Sequence, residues 1–294
     1  MRIKTNYDKS RPLIFMHIPK CGGTSLDASL QRTLGISQHK RFFGTILHGK
    51  TDIDGYNSWD NKALRHVAID DSYFTEKSDY VVAHASFNEL NKRHQDGQFI
   101  TFFREPICRL ISLRTYLRSF SDEMICYFGN YGIFSLRARL PLKEFLSKPY
   151  FAANYDNTAV RMLLDGNRFI PRSDFIDKIH DDDLIELALR ELDKFDFYSS
   201  IDSPNIINDL SDYFGHEFSL HKENESSTIN NHLGCDLTAE LDDETMDILH
   251  QHSRLDTVLW QRAMCIDSAS DADKTKSRLI SQCVARHCKL LGFE

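Results

Sequence analysis

An α/β protein with a central parallel sheet flanked by helices is the fold this sequence predicts, on three observations. Short apolar runs recur at 11–18, 79–87, 98–105 and 195–202, each of the length and near-continuous hydrophobicity of a strand buried on both faces. Helical spacing follows most of these runs, which is the alternation of a parallel sheet. Hydrophobic residues make up 41% of a chain of 294 residues, enough for one large core.

The elements follow in order. RPLIFMHI (11–18) reads as the first strand. Gly22 and Gly23 break it, and Thr24 or Ser25 is placed to cap what comes next. SLDASLQRTLG then reads as a helix, with Leu26, Leu30 and Leu34 on one face and Gly35 as its stop. Residues 36–78 are mixed and polar, which predicts loops with short elements. DYVVAHASF (79–87) and QFITFFRE (98–105) are the second and third strands; Pro106 ends the third, and a helix runs over 107–120. Segments near 141–148, 154–165 and 181–194 read as helical. FDFYSSID (195–202) is the fourth strand, and a helix runs from Pro204 to about Phe214. The stretch 221–235 is loop-like; 238–264 reads as two helices or one bent one. This predicts a domain over 1–265 and a C-terminal helical appendage over 266–294, helical near 275–291.

Composition narrows the function. A net charge of -7 and a pI of about 6.0 disfavour a general nucleic-acid binder. The charge is uneven: Thr101 to Tyr150 holds eight basic residues against four acidic, so an anion site is expected to draw on this half. Seven scattered cysteines and no signal peptide predict reduced thiols in a cytoplasm. The one cluster, CVARHC (Cys283 to Cys288), lacks the second pair of a zinc site, so no metal is expected. No apolar stretch approaches the length of a membrane span.

The chemistry concentrates in HIPKCGGTS, His17 to Ser25. A strand, a glycine-bearing turn and a helix place backbone N–H groups where they cradle a phosphate. Lys20 supplies positive charge, Thr24 and Ser25 supply hydroxyls, and Gly22 and Gly23 let the backbone approach an anion. The order departs from the P-loop G-x-x-x-x-G-K-[ST], because lysine precedes both glycines.

HIPKCGGTS resembles the 5′-phosphosulfate loop of the sulfotransferases that use 3′-phosphoadenosine 5′-phosphosulfate (PAPS), in the carbohydrate branch that includes the heparan sulfate 2-O-sulfotransferases. Cys21 stands where threonine is usual. FREPICRLIS (103–112) resembles the same family's 3′-phosphate segment, which implies that Arg104 and Ser112 hold that phosphate with Arg109 nearby. AHASF (83–87) is similar to the segment carrying the family's catalytic base; His84 fits it, and Val82 stands where some members have a second histidine. Fainter similarities put Asn157 and Arg161 at the acceptor groove and Lys222 and Asn224 over the nucleotide, with Asp256 and Trp260 structural.

The resemblance implies a P-loop-like sulfotransferase fold with PAPS as co-substrate and no metal requirement. It implies transfer of a sulfuryl group to a hydroxyl of a carbohydrate or glycolipid. His84 would act as base and Lys20 would stabilise the leaving group. Backbone and side chains of Cys21, Gly22, Gly23, Thr24 and Ser25 would hold the 5′-phosphate. Golgi members carry an N-terminal anchor, so the chain is expected to be a bacterial cytoplasmic enzyme. The alternatives are a P-loop-like kinase or a non-catalytic nucleotide-binding protein.

Overall fold

The computed structural model describes residues 2–3, 6–35, 39–42, 78–127, 129–220 and 236–291. Strand β1 (Arg2–Ile3) is followed by β2 (Leu13–Met16), helix α1 (Gly23–Leu34), β3 (His39–Phe42) and β4 (Tyr80–Ala83). Helix α2 (Phe87–Arg93), strand β5 (Gln98–Phe103) and helix α3 (Pro106–Arg118) come next. A run of short helices, α4 (Asp122–Tyr127), α5 (Gly129–Arg137), α6 (Leu142–Leu146), α7 (Ala152–Tyr155) and α8 (Thr158–Leu163), leads to α9 (Asp181–Leu192) and β6 (Phe197–Ser200). The chain closes with α10 (Ile206–Phe214), α11 (Leu237–Glu240), α12 (Asp243–Met264) and α13 (Ala269–Leu290).

Among the described residues the sheet runs β1-β6-β5-β2-β4-β3. Strands β6, β5, β2, β4 and β3 are parallel to one another, and β1 pairs antiparallel with β6 at one edge. Strand β2 lies inside the sheet, with Met16 opposite Ala83 on one side and Thr101 on the other. From β2 the chain winds out to β3 and β4, then crosses to β5 and β6 on the other side. The reversal therefore falls at β2, whose C-terminal end is where a ligand crevice opens in such sheets.

The alternation of β2 explains its apolar run. Ile14 and Met16 pack on one face with residues of α2, α8, α9 and α12; Leu13 and Phe15 pack on the other with Leu26 and Leu30 of α1 and Leu210 and Tyr213 of α10. A third core joins α3 to α5, α6 and α13. The chain is one α/β domain. The segment after 265 is not a projecting arm: α13 lies along α3, and Cys283 and Leu291 belong to that third core.

Several expectations shift in detail. The strand expected over 79–87 stops at Ala83, because Ser86 Oγ accepts from Glu89 N at 3.2 Å and starts α2. The stretch 238–264 is two helices; Asp242 caps the second through Thr245 N at 2.8 Å. The final helix begins at Ala269, earlier than expected. The expected loop at 221–235 lies outside the described residues.

Candidate functional site

Strand β2 hands the chain into the loop at His17, whose N–H donates to Ala83 O at 2.8 Å and so extends the parallel ladder by one rung. The turn closes with Cys21 N donating to Ile18 O at 3.3 Å. Two residues then take left-handed backbone, Lys20 at φ 69° and Gly22 at φ 71°. For glycine this conformation is ordinary; for lysine it is strained, and such strain gathers at functional sites. Gly22 is the N-cap of α1, and among the described residues no side chain caps the helix. The expected capping by Thr24 or Ser25 does not occur, since both fall within the first turn of α1. The helix thus presents its positive end, with no acidic residue in the first turn, beside the Lys20 turn.

Gly23 is required for a reason the sequence did not show. A Cβ there would lie 1.8 Å from His17 Nε2, so the imidazole occupies the space a side chain would need. His17 in turn hydrogen-bonds His84, with 2.9 Å between His17 Nδ1 and His84 Nε2. Both rings are buried. The ring beside His84 thus comes from the residue that follows β2. The register that sets Met16 beside Ala83 makes the residues after them neighbours.

Lys20 is half-buried, and its ammonium lies 4.1 Å from the centre of the Tyr116 ring. Burial lowers its pKa to about 8, and the neighbouring Arg104 charge adds to this. Arg104 follows β5 and donates from Nη1 to Lys20 O at 3.4 Å, while its Nη2 lies 3.9 Å from Cys283 Sγ on α13. The two cations expected to bind phosphate therefore meet at one turn. Cys21 is buried with its pKa pushed up to about 12, chiefly by burial, so its thiol stays protonated. Thr24 is exposed and Ser25 half-exposed on the first turn of α1. Ser112 is buried on α3, about 9 Å along the helix axis from Pro106 at 1.5 Å per residue.

The FREP segment owes its position to acids. Glu105 caps α3 by accepting from Cys108 N at 2.7 Å, with Pro106 in the first turn. Glu105 N donates to Asp202 Oδ2 at 2.5 Å, and Trp260 Nε1 donates to the same oxygen at 3.1 Å. Arg104 is thus held where β5 ends by an anchor shared with β6 and α12.

Three expected residues turn inward. Arg109 is buried and donates to Thr158 Oγ1 at 2.9 Å and Asn154 O at 3.4 Å, bracing α8, and it lines one small cavity with Arg104, Ile18 and Cys21, near Arg104 as expected. Asn157 is fully buried; its Oδ1 accepts from Leu255 N at 2.8 Å and its amide donates to Asp156. Arg161 is buried in an ion pair with Asp156 and also donates to Pro171 O and Asp174 O. Asn157 and Arg161, expected at the acceptor groove, are buried against Asp156, whose burial needs compensating donors that they supply. Asp256, expected to be structural, accepts from Ala159 N and Val160 N. Lys222 and Asn224 lie outside the described residues.

Sequence reasoning missed His17 and Tyr116. His17 stands inside the quoted motif, but its partner is 67 residues away and follows from strand register alone. Tyr116 lies on α3 like many helix aromatics, and nothing in the spacing ties it to Lys20. Among the described residues no helix is long and apolar enough to cross a membrane. No protein-family model matches this chain, and no curated protein matches it.

Proposed function

We propose that this chain is a PAPS-dependent sulfotransferase acting on a hydroxyl of a carbohydrate or glycolipid. The observation that carries the reading is the meeting of three anion-binding features at one turn. They are the strained, half-buried Lys20, the uncapped N-terminus of α1, and Arg104 bonded to the Lys20 carbonyl. A nucleotide bearing a 5′-phosphosulfate and a 3′-phosphate matches two cationic anchors beside one helix end.

In this reading N–H groups of Gly22 to Ser25, with the hydroxyls of Thr24 and Ser25, hold the 5′-phosphate. Lys20 stabilises the negative charge growing on the bridging oxygen as it leaves sulfur. Arg104, at the end of β5, takes the 3′-phosphate, with Ser112 on the helix that follows. In-line geometry does most of the work, as in phosphoryl transfer. His84 takes the acceptor's proton, and its bond to His17 fixes the ring's orientation and shares the charge that results.

Calorimetric titration with the desulfated product PAP, alongside ATP with and without magnesium, tests the reading. Metal-independent PAP binding is expected, weakened about 10- to 100-fold in Arg104→Ala, the loss of one charge-assisted phosphate contact. With a verified acceptor, His84→Ala should lose at least about 100-fold in turnover. Binding of magnesium-ATP without PAP would replace this reading with a kinase. PAP binding with no transfer to any acceptor would leave a nucleotide-binding module.

A further inference from the structure

Helix α13 docks through a chemistry the proposed reaction does not use. Of its 22 residues only Ala272, Cys283 and His287 are buried. Its contact with α3 centres on two thiols. Cys283 Sγ donates to Cys108 O at 3.8 Å, and Cys108 Sγ donates to Leu279 O at 3.5 Å, so each sulfur reaches the backbone of the other helix. Around Cys283 stand two donors: Arg104, whose Nη2 is 3.9 Å from its sulfur, and His287, one turn along α13.

We propose that Cys108 and Cys283 form a redox-active dithiol that closes to a disulfide and latches α13 onto α3. Each sulfur lies against the backbone of the other's helix, which sets the two side chains facing one another across the contact. Cationic neighbours favour the thiolate at Cys283, whose pKa is lowered first by its pairing with Cys108 and then by His287 and Arg104; that of Cys108 is raised by the same pairing. Cys283 is therefore the attacking sulfur and Cys108 the resolving one. The oxidant is a small-molecule disulfide such as glutathione disulfide. Cys283 attacks one of its sulfurs, forming a mixed disulfide and releasing one glutathione thiolate. Cys108 then gives up its proton and attacks the Cys283 sulfur, closing the protein disulfide and releasing the second glutathione. The protein loses two electrons and two protons, and the oxidant is reduced to two thiols. Access requires α13 to lift locally from α3, and most of its residues are at least partly exposed. The bridge would close a loop spanning 175 residues.

The test equilibrates the full-length protein in glutathione buffers of graded poise, quenches with acid, alkylates and maps the peptides. A Cys108–Cys283 disulfide is expected, while the exposed Cys126 and Cys265 carry at most glutathione. Cys108→Ser should trap glutathione on Cys283. Hydrogen exchange should show the amides of 269–290 protected about tenfold more in the oxidised protein than in the reduced. Free Cys108 and Cys283 where Cys126 and Cys265 are already modified would overturn the proposal. So would pairing of Cys283 with Cys288, an unmodified Cys283 in Cys108→Ser, or unchanged exchange of α13. None of these measurements involves PAP, so the outcome stands apart from the sulfotransferase reading.

Discussion

Lys20 holds a backbone conformation that its side chain opposes, and its ammonium sits where burial opposes charge. Both penalties are lifted in Lys20→Gly, which should stabilise the fold by about 1 kcal/mol in urea denaturation while weakening PAP binding. Lys20→Ala keeps the backbone strain and should fall short of that gain. The lysine titrates near 8 when folded and near 10.5 in its ordinary state. Between those values the unfolded chain holds the extra proton, so this group's penalty is full below pH 8 and fades as pH rises toward about 10.5. Bound phosphate favours the charged form, so PAP affinity should fall as pH rises through 8. Calorimetry near pH 8 in buffers of different ionisation heat should detect proton uptake on binding, absent in Lys20→Ala. Gly23 gives a separate handle. Alanine is ordinarily the better helix residue, but here its Cβ would meet the His17 ring. Gly23→Ala should cost about 1–3 kcal/mol from overpacking and lower turnover by displacing the histidine pair, which paired stability and rate measurements would separate. Lys20 and Arg104 could be read from their motifs, because charge and glycine spacing are local. The His17–His84 bond could not, since it depends on which strands are neighbours.

Helices α8 and α12 are joined by reciprocal caps. Asp256 of α12 accepts from Ala159 N and Val160 N at 3.1 and 3.0 Å, and Asn157 beside α8 accepts from Leu255 N. Asp256→Ala strands two buried N–H groups and should cost about 2–4 kcal/mol, read as a lower urea midpoint at unchanged slope. Asn157 owes its burial to this joint, a partnership between elements that the local sequence does not show. Elements with a long apolar signal, β2, β4, β5, β6, α1 and α3, were legible to within a few residues. The short helices between 122 and 155 were mostly not, because four to nine residues give a helical period little room to show. Strand β1 has two residues and no periodicity at all.

At the scale of the whole molecule, the parallel sheet places His17, His84, Arg104 and Asp202 just beyond the C-terminal ends of β2, β4, β5 and β6. The candidate site therefore inherits its geometry from the most buried part of the fold, and substitutions in the loop should alter function more readily than they unfold the protein. Strand β1 adds a constraint of another kind. Arg2 pairs with Tyr198 and Ile3 with Phe197, antiparallel at the edge of the sheet. At ribosomal rates of roughly 5–20 residues per second, the first strand waits on the order of ten to forty seconds for its partner to be made. The sheet's earliest residues are thus among its last to be seated, and a nascent chain arrested before β6 carries an unmatched N-terminal strand to any chaperone that meets it.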